Sequence, residues 1–134
     1  MKINLIEYFE KTVHFLPQKP AVFDGASTLN FSELQQKAKI VSAIISKKNK
    51  SINNPVAVYL PKSNGAIVAF LGTLYSGNCY APLDIKNPTN RIKSIVQALK
   101  PICIITNNNY IEHLAGLNLN IDRKSTRLNS SHYS

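Results

Sequence analysis

The sequence has few of the residues that build metal centres, disulfide frameworks or membrane spans. Its 134 residues include two cysteines, one methionine and no tryptophan. Cys79 and Cys103 are too few and too far apart for a thiol-ligated metal site or a disulfide framework, and both lie in apolar runs. We therefore expect both to be small buried hydrophobic residues. The longest apolar run, residues 65–75, is well short of the roughly 20 residues that a membrane span needs.

Acidic residues are also scarce, with 7 Asp and Glu against 16 Lys and Arg and a net charge of +9. The excess cations are spread along the chain, and Lys47, Lys48 and Lys50 lie at a predicted helix C-terminus, where they complement the helix dipole. No aromatic platform or recognition motif interleaves with them, which argues against a nucleic-acid partner. Glu7 and Glu10 interrupt the apolar positions near the N-terminus, so we expect no secretory signal. A reduced, cytoplasmic protein is predicted.

Hydrophobic periodicity predicts two helices flanking a hairpin in the first 50 residues. The first helix is capped by Asn4 and ends before Pro17. The hairpin strands are predicted at residues 21–24 and 28–31. Asn30 and Glu33 form a capping box for the second helix, whose apolar residues recur at steps of three and four. These residues are Phe31, Leu34, Ala38, Val41 and Ile45.

The second half of the sequence alternates strands with helices. Strands are predicted at residues 56–60, 79–83 and 102–106. Ser63 caps a helix that Gly77 ends, and this helix is apolar on most sides, so we expect it to lie between a sheet and a further layer. Asn87 is predicted to cap a helix with Pro88 at its first position, and a short helix covers residues 110–115. This alternation indicates an α/β fold, a layered sheet of parallel strands with flanking helices.

The segment from residue 70 to residue 92 resembles the second core motif of the adenylate-forming superfamily, whose members activate a carboxylate with ATP. The matching residues are Gly77, Tyr80, Pro82, Leu83, Asp84, Pro88, Arg91 and Ile92. Acyl-CoA ligases of this superfamily usually have Asn in place of the Asp and lack the Arg-Ile pair. Asp84 and Arg91 therefore favour the amino-acid-adenylating branch. Residues 29–34 resemble the first core motif, with the departures Asn30 for Thr or Ser and Phe31 for Tyr.

This resemblance implies that residues 1–122 are the N-terminal portion of an adenylation domain, the large domain of an adenylate-forming enzyme. The complete enzyme would use ATP and Mg²⁺ to activate an amino acid and pass it to a carrier-protein thiol. Its partners would be the remainder of the domain and the carrier protein. D-alanyl carrier-protein ligases and nonribosomal peptide synthetase modules both fit, and a start at Met1 with no preceding domain favours the former.

Residues 123–134 have a different character, with one large aliphatic residue and no periodicity. We expect this tail to be disordered, because such a composition cannot pack a core. We also expect it to be non-native, because it resembles the translated read-through of a sequencing adapter. A natural flexible terminus is the alternative. For the chain as a whole, the alternative to an enzyme fragment is a small self-contained α/β binding or regulatory module, with its basic charge suited to nucleic acid.

Two features invite a functional interpretation. Gly72 and Gly77 have the spacing of a Walker loop, but Asn78 and Cys79 replace its Lys and Ser or Thr. We expect close helix packing for Gly72 and a helix C-cap for Gly77. Asp84 follows a buried strand, where ligand sites of α/β proteins lie.

For Asp84 we expect a structural role, in which it bonds nearby backbone N–H groups and pairs with Arg91. His14, His113 and His132 are isolated from other candidate catalytic residues. The sequence therefore predicts no catalytic, cofactor-binding or metal-binding residue in this chain. ATP and Mg²⁺ are expected only for the full-length enzyme.

Overall fold

Residues 4–116 alternate between helices and strands in the computed structural model, which describes this part of the chain. The helices are α1 (Leu5–Phe15), α2 (Phe31–Lys48), α3 (Asn64–Tyr75), α4 (Thr89–Leu99) and α5 (Ile111–Ala115). The strands are β1 (Pro20–Phe23), β2 (Thr28–Asn30), β3 (Pro55–Val58), β4 (Cys79–Pro82) and β5 (Cys103–Ile105). This order confirms the α/β fold class. The predicted tail lies outside the described residues.

The strands form two separate sheets. β1 and β2 pair antiparallel as the predicted hairpin. The other three strands form a parallel sheet in the order β4-β3-β5, in which Val56 of β3 is level with Tyr80 of β4 and with Cys103 of β5. The central strand β3 is buried from Val56 to Val58, as expected for a parallel strand covered on both faces.

A hydrophobic cluster packs on each face of the parallel sheet. On one face, α2 and α3 supply Val41, Ile45 and Val68 against Val56 and Val58. On the other, α4 and α5 supply Ile92, Val96 and Leu114 against Ala57 and Ile104. The apolar face predicted for α2 is confirmed, since Leu34, Ala38, Val41 and Ile45 are all buried. None of the helices in residues 4–116 has the length and apolarity needed to cross a membrane.

Side-chain caps fix the starts of three helices. Asn4 Oδ1 accepts hydrogen bonds from the N–H groups of Ile6 and Glu7. Asn30 and Glu33 form the predicted capping box, with bonds of 2.8 and 2.9 Å. Ser63 Oγ accepts from Ala66 N–H at 3.2 Å and begins α3.

The predicted cap of α4 is wrong. The residue before the helix is Pro88, which makes no side-chain capping bond, and α4 begins at Thr89. Asn87 instead donates its backbone N–H to the carbonyl oxygen of Asp84 at 3.1 Å. Asn87 therefore belongs to the turn that follows β4.

The prediction that both cysteines are buried is wrong for Cys79. Cys103 is buried in β5, whereas Cys79 is exposed on β4, an edge strand of the parallel sheet. The prediction that α3 is covered on most sides holds only in part. Val68, Ala69 and Gly72 are buried, but Ile67 is 36% exposed.

Candidate functional site

An open groove of about 1410 Å³ lies between the hairpin, the N-terminus of α3 and the ends of β3 and β4. Its apolar lining includes Phe23, Ile67, Phe70, Tyr80 and Ile85. The carboxyl ends of parallel strands are where α/β folds most often bind ligands. The groove is therefore the candidate site in the described part of the chain.

The groove presents aromatic and aliphatic surface to solvent. Phe23, at the end of β1, is 72% exposed, and Tyr80 of β4 is 40% exposed. The rings of Phe70 and Tyr80 are stacked, with centroids 4.4 Å apart and planes inclined by 28°. This stacking gives the groove a flat apolar wall that joins α3 to β4.

Asp24 joins the hairpin turn to the start of α3. Its Oδ1 accepts from the N–H groups of Ala26 and Ser27, each at 3.0 Å, and its Oδ2 accepts from Asn64 N–H at 2.9 Å. Asn64 returns the contact, donating Nδ2–H to the Ser27 carbonyl oxygen at 2.9 Å and to Ser27 Oγ at 3.0 Å. The bond from Asn64 N–H, followed by those from Ala26 and Ser27, lowers the pKa of Asp24 from its ordinary value of 3.8.

These contacts leave the N-terminus of α3 poorly suited to a phosphate group. A helix N-terminus binds phosphate through unpaired backbone N–H groups and the positive end of its dipole. In α3, Asn64 N–H donates to Asp24 and Ala66 N–H donates to Ser63 Oγ. The carboxylate of Asp24 also places a negative charge at this end of the helix. An ATP phosphate group therefore does not fit here.

One of the two contacts predicted for Asp84 is present. Its Oδ1 accepts from Lys86 N–H at 2.8 Å, so the expected bond to nearby backbone is confirmed. The expected pairing with Arg91 is wrong, because residues 4–116 contain no ion pair between the two. Both side chains are exposed, where the weak gain from an ion pair does not offset the cost of ordering them.

The structural roles of the two glycines are confirmed. A Cβ placed on Gly72 would lie 2.5 Å from Val41 Cβ and 2.9 Å from the Ala38 carbonyl oxygen, so α2 and α3 approach here as closely as glycine allows. Gly77 follows α3 with a φ of +82°, the left-handed conformation that glycine adopts at low cost. Neither residue forms part of a phosphate loop.

The described residues also lack a cluster suited to a metal or a nucleophile. No group of three or more His, Cys, Asp or Glu side chains within residues 4–116 could hold a metal ion. His14 packs edge-on against Phe15, and His113 packs edge-on against Tyr110. His132 lies outside the described residues.

Sequence reasoning missed a second polar network, which joins the first three helices. Glu10 of α1 accepts hydrogen bonds from Tyr75 Oη at 2.7 Å and from Gln35 Nε2 at 2.6 Å, and Lys39 Nζ lies 3.7 Å from its carboxylate. Burial and the contact with Glu10 raise the pKa of Tyr75. The partners are 25 and 65 residues from Glu10 in sequence. No local motif in the sequence signals such distant contacts.

Comparison with known proteins identifies the family. The model of the family described as AMP-binding enzyme matches residues 9–132. The chain belongs to this family. The resemblance to adenylate-forming enzymes is thereby confirmed, and the alternative of an unrelated small α/β module loses support.

The curated relatives of this AMP-binding chain are much longer proteins. Cyclosporin synthetase simA from Tolypocladium inflatum is 34% identical over 96 residues, which cover 72% of this chain and 1% of the relative. The dimodular nonribosomal peptide synthase of Bacillus subtilis (strain 168) is 31% identical over 104 residues, covering 78% of this chain and 4% of the relative. The chain thus spans a small part of the curated relatives it matches.

Solved structures support the fold. A crystal structure of the nonribosomal peptide synthetase FmoA3 (S1046A) matches 96% of this chain with a TM-score of 0.81 and 20% identity, over 13% of its own length. The anthranilate CoA ligase AuaEII matches 97% with a TM-score of 0.84 and 12% identity, over 25% of its length. These matches show that residues 4–116 have the fold of part of an adenylate-forming enzyme domain. Assignment to the D-alanyl carrier-protein ligase branch stays a prediction.

Proposed function

We propose that this chain is a structural portion of an ATP-dependent, amino-acid-activating adenylation domain and has no adenylation activity by itself. The observation that carries this proposal is the AMP-binding family match over residues 9–132. The names of the curated relatives, which include nonribosomal peptide synthetases, favour amino acids as substrates. Asp84 and Arg91, the two residues that favoured this branch in the sequence, support the same choice.

The complete enzyme would join an amino acid to ATP in the presence of Mg²⁺, release pyrophosphate and transfer the aminoacyl group to a carrier-protein thiol. In this proposal the groups that hold ATP and Mg²⁺ come from outside residues 4–116. The described residues supply a rigid framework instead. The relatives' names favour a nonribosomal peptide synthetase module over a D-alanyl carrier-protein ligase.

The groove geometry is consistent with a framework role. The N-terminus of α3, which could bind a phosphate in another protein, donates the Asn64 N–H to the carboxylate of Asp24. The turn after β4 uses Asp84 to hold its own backbone. In this proposal, these polar groups stabilise the fold.

Amino-acid-dependent exchange of pyrophosphate into ATP tests the proposal. We expect the purified 134-residue chain to show no exchange above background with a panel of all proteinogenic amino acids and D-alanine. The intact adenylation domain of the Bacillus subtilis dimodular synthase, assayed in parallel, is the positive control. Reproducible exchange by the pure chain would contradict the framework proposal, and salt-dependent retention on nucleic acid would favour the alternative module.

A further inference from the structure

The groove exposes several large apolar side chains side by side. Phe23, Ile67 and Tyr80 are each at least 36% exposed and line the same groove. Single exposed apolar residues are normal, whereas a contiguous apolar patch marks an interface. Charged side chains, including Lys62, Asp24 and Lys86, also line the groove. An apolar centre with charged residues near it is the usual composition of a protein interface.

We propose that this groove is the surface against which the rest of the adenylation domain packs, an inference that rests on the proposed function. The extent of the structural matches favours the rest of the domain as the segment that covers the groove. FmoA3 and AuaEII match nearly all of this chain but only 13% and 25% of their own lengths. Both proteins are therefore much longer than the part that corresponds to this chain, and the additional sequence is the occupant that we infer.

The backbone of β4 limits how the covering segment can bind. Cys79 N–H donates to the Asn54 carbonyl oxygen and Leu83 N–H donates to the Val58 carbonyl oxygen, so these alternate residues face β3. Tyr80 and Pro82 then face the outer edge, because successive residues of a strand point their N–H groups in opposite directions. Pro82 has no N–H to donate, which blocks a regular ladder at this position. We therefore expect the covering segment to pack mainly through apolar side chains, because a further strand would lack a ladder hydrogen bond at Pro82.

A dye-binding experiment on the 134-residue chain tests whether the groove is an accessible apolar surface. The probe is 1-anilinonaphthalene-8-sulfonate, and the test variant is Phe23→Gln combined with Ile67→Gln, because neutral side chains do not attract the anionic probe. We expect the fluorescence enhancement to fall by roughly half, since hydrophobic binding scales with the apolar area available. Ile40→Gln is the control, because Ile40 is 57% exposed on α2 and does not line the groove. Equal fluorescence for the chain and its groove variant would overturn the inference.

A domain chimera tests whether the rest of an adenylation domain covers the groove. Residues 1–116 replace the corresponding segment in the adenylation domain of the Bacillus subtilis dimodular synthase. We expect Phe23→Lys to lower the melting temperature of the chimera by several degrees, because the lysine would be buried without a partner. The same substitution in the 134-residue chain should leave the melting temperature unchanged, as should Ile40→Lys in either protein.

The possible outcomes separate the inference from the proposed function. A folded chimera that tolerates Phe23→Lys as well as Ile40→Lys would overturn the groove inference and leave the proposed function standing. A chimera that does not fold even without substitutions would count against the proposed function, and the dye experiment would then decide whether the groove is an apolar docking surface. A dimer of the 134-residue chain in sedimentation, lost in the groove variant, would show that the occupant is a second copy and overturn the inference.

Discussion

At the scale of single residues, the side chain of Asn64 connects the start of α3 to the hairpin turn. It lies at the first position of α3, and its side chain is 6% exposed. Its Nδ2 reaches Ser27, which is 37 residues away in sequence and lies in the hairpin turn. The side chain of Asn64 therefore connects α3 to the hairpin turn, in addition to the bond between Asn64 N–H and the carboxylate of Asp24.

Asn64→Ala should lower the free energy of unfolding by about 1 to 2 kcal/mol, because it removes two hydrogen bonds from a buried side chain. The backbone N–H of residue 64 still reaches Asp24 in this variant, so the loss reports the side chain alone. Urea unfolding monitored by circular dichroism measures it. Asn108→Ala, in an exposed turn, is the control and should change the free energy by less than about 0.5 kcal/mol. Equal values for the two variants would contradict the structural role of Asn64.

The lowered pKa of Asp24 makes a distinct prediction for stability against pH. Because the folded protein holds this group ionised more strongly than the unfolded chain, the stabilisation is complete above the unfolded pKa and is lost as pH falls through the folded pKa. The difference in unfolding free energy between the unsubstituted chain and Asp24→Asn should be constant above about pH 5. It should shrink as the pH falls below 3.8, the ordinary value. A difference that does not change over an acid titration of urea unfolding would contradict the role assigned to this carboxylate.

The contacts of single residues were predictable from the sequence where the partners are close along the chain. The Asn30 and Glu33 capping box and the Asp84 turn involve residues two or three positions apart. The contact of Asp24 with Asn64 spans 40 positions and depends on how the hairpin docks on α3. Sequence spacing alone carries no information about such a contact. The expected pairing of Asp84 with Arg91 failed for a different reason. Nearness along the chain does not make two exposed side chains form an ion pair.

At the scale of elements, the approach of α2 to α3 depends on a residue without a side chain. Gly72 of α3 faces Val41 and Ala38 of α2, and a Cβ at this position would lie 2.5 Å from Val41 Cβ. The obstructing atoms are a Cβ and a backbone carbonyl oxygen, which cannot move unless the whole helix shifts. This packing explains why Gly72 lies inside an otherwise apolar helix.

Gly72→Ala should therefore lower the free energy of unfolding by about 1 to 3 kcal/mol, because the added methyl group overpacks the helix contact. Gly65→Ala in the same helix is the matched control. Its Cβ would meet only Ser63 Oγ at 3.7 Å, an ordinary contact. We expect Gly65→Ala either to leave the free energy of unfolding unchanged or to raise it by up to about 1 kcal/mol, since alanine loses less backbone entropy than glycine on folding. A Gly72→Ala variant as stable as the control would contradict the close approach of the helices.

The elements themselves followed from apolar periodicity, caps and glycine or proline stops. Their packing partners did not, because periodicity shows which face is apolar without showing what covers it. Cys79 illustrates the limit. It lies in an apolar run typical of a buried strand, yet β4 is at the edge of its sheet in the described part of the chain and leaves this side chain exposed.

At the scale of the whole molecule, family membership and the exposed groove beside the edge strand β4 both favour a fold that is part of a larger domain. The fold matches part of larger adenylate-forming proteins, and its apolar groove has the composition of an interface. In residues 4–116, the N–H groups of Asn64 and Ala66 at the start of α3 already have partners, and no group of three or more His, Cys, Asp or Glu side chains could hold a metal ion. A catalytic domain of this family would then need its phosphate-binding groups from elsewhere in its sequence.

This requirement gives a prediction about the source gene. The native reading frame should continue from Asp122 into further strands and then into a Ser, Thr and Gly-rich loop ending in Pro-Lys-Gly. Such a loop would provide the free backbone N–H groups and the cation that phosphate binding requires, because the N–H groups of Asn64 and Ala66 at the start of α3 already have partners. Sequencing unassembled source DNA across the codons for residues 117–134 tests the prediction. A genomic stop codon directly after Ser134 would contradict it and favour the small self-contained module.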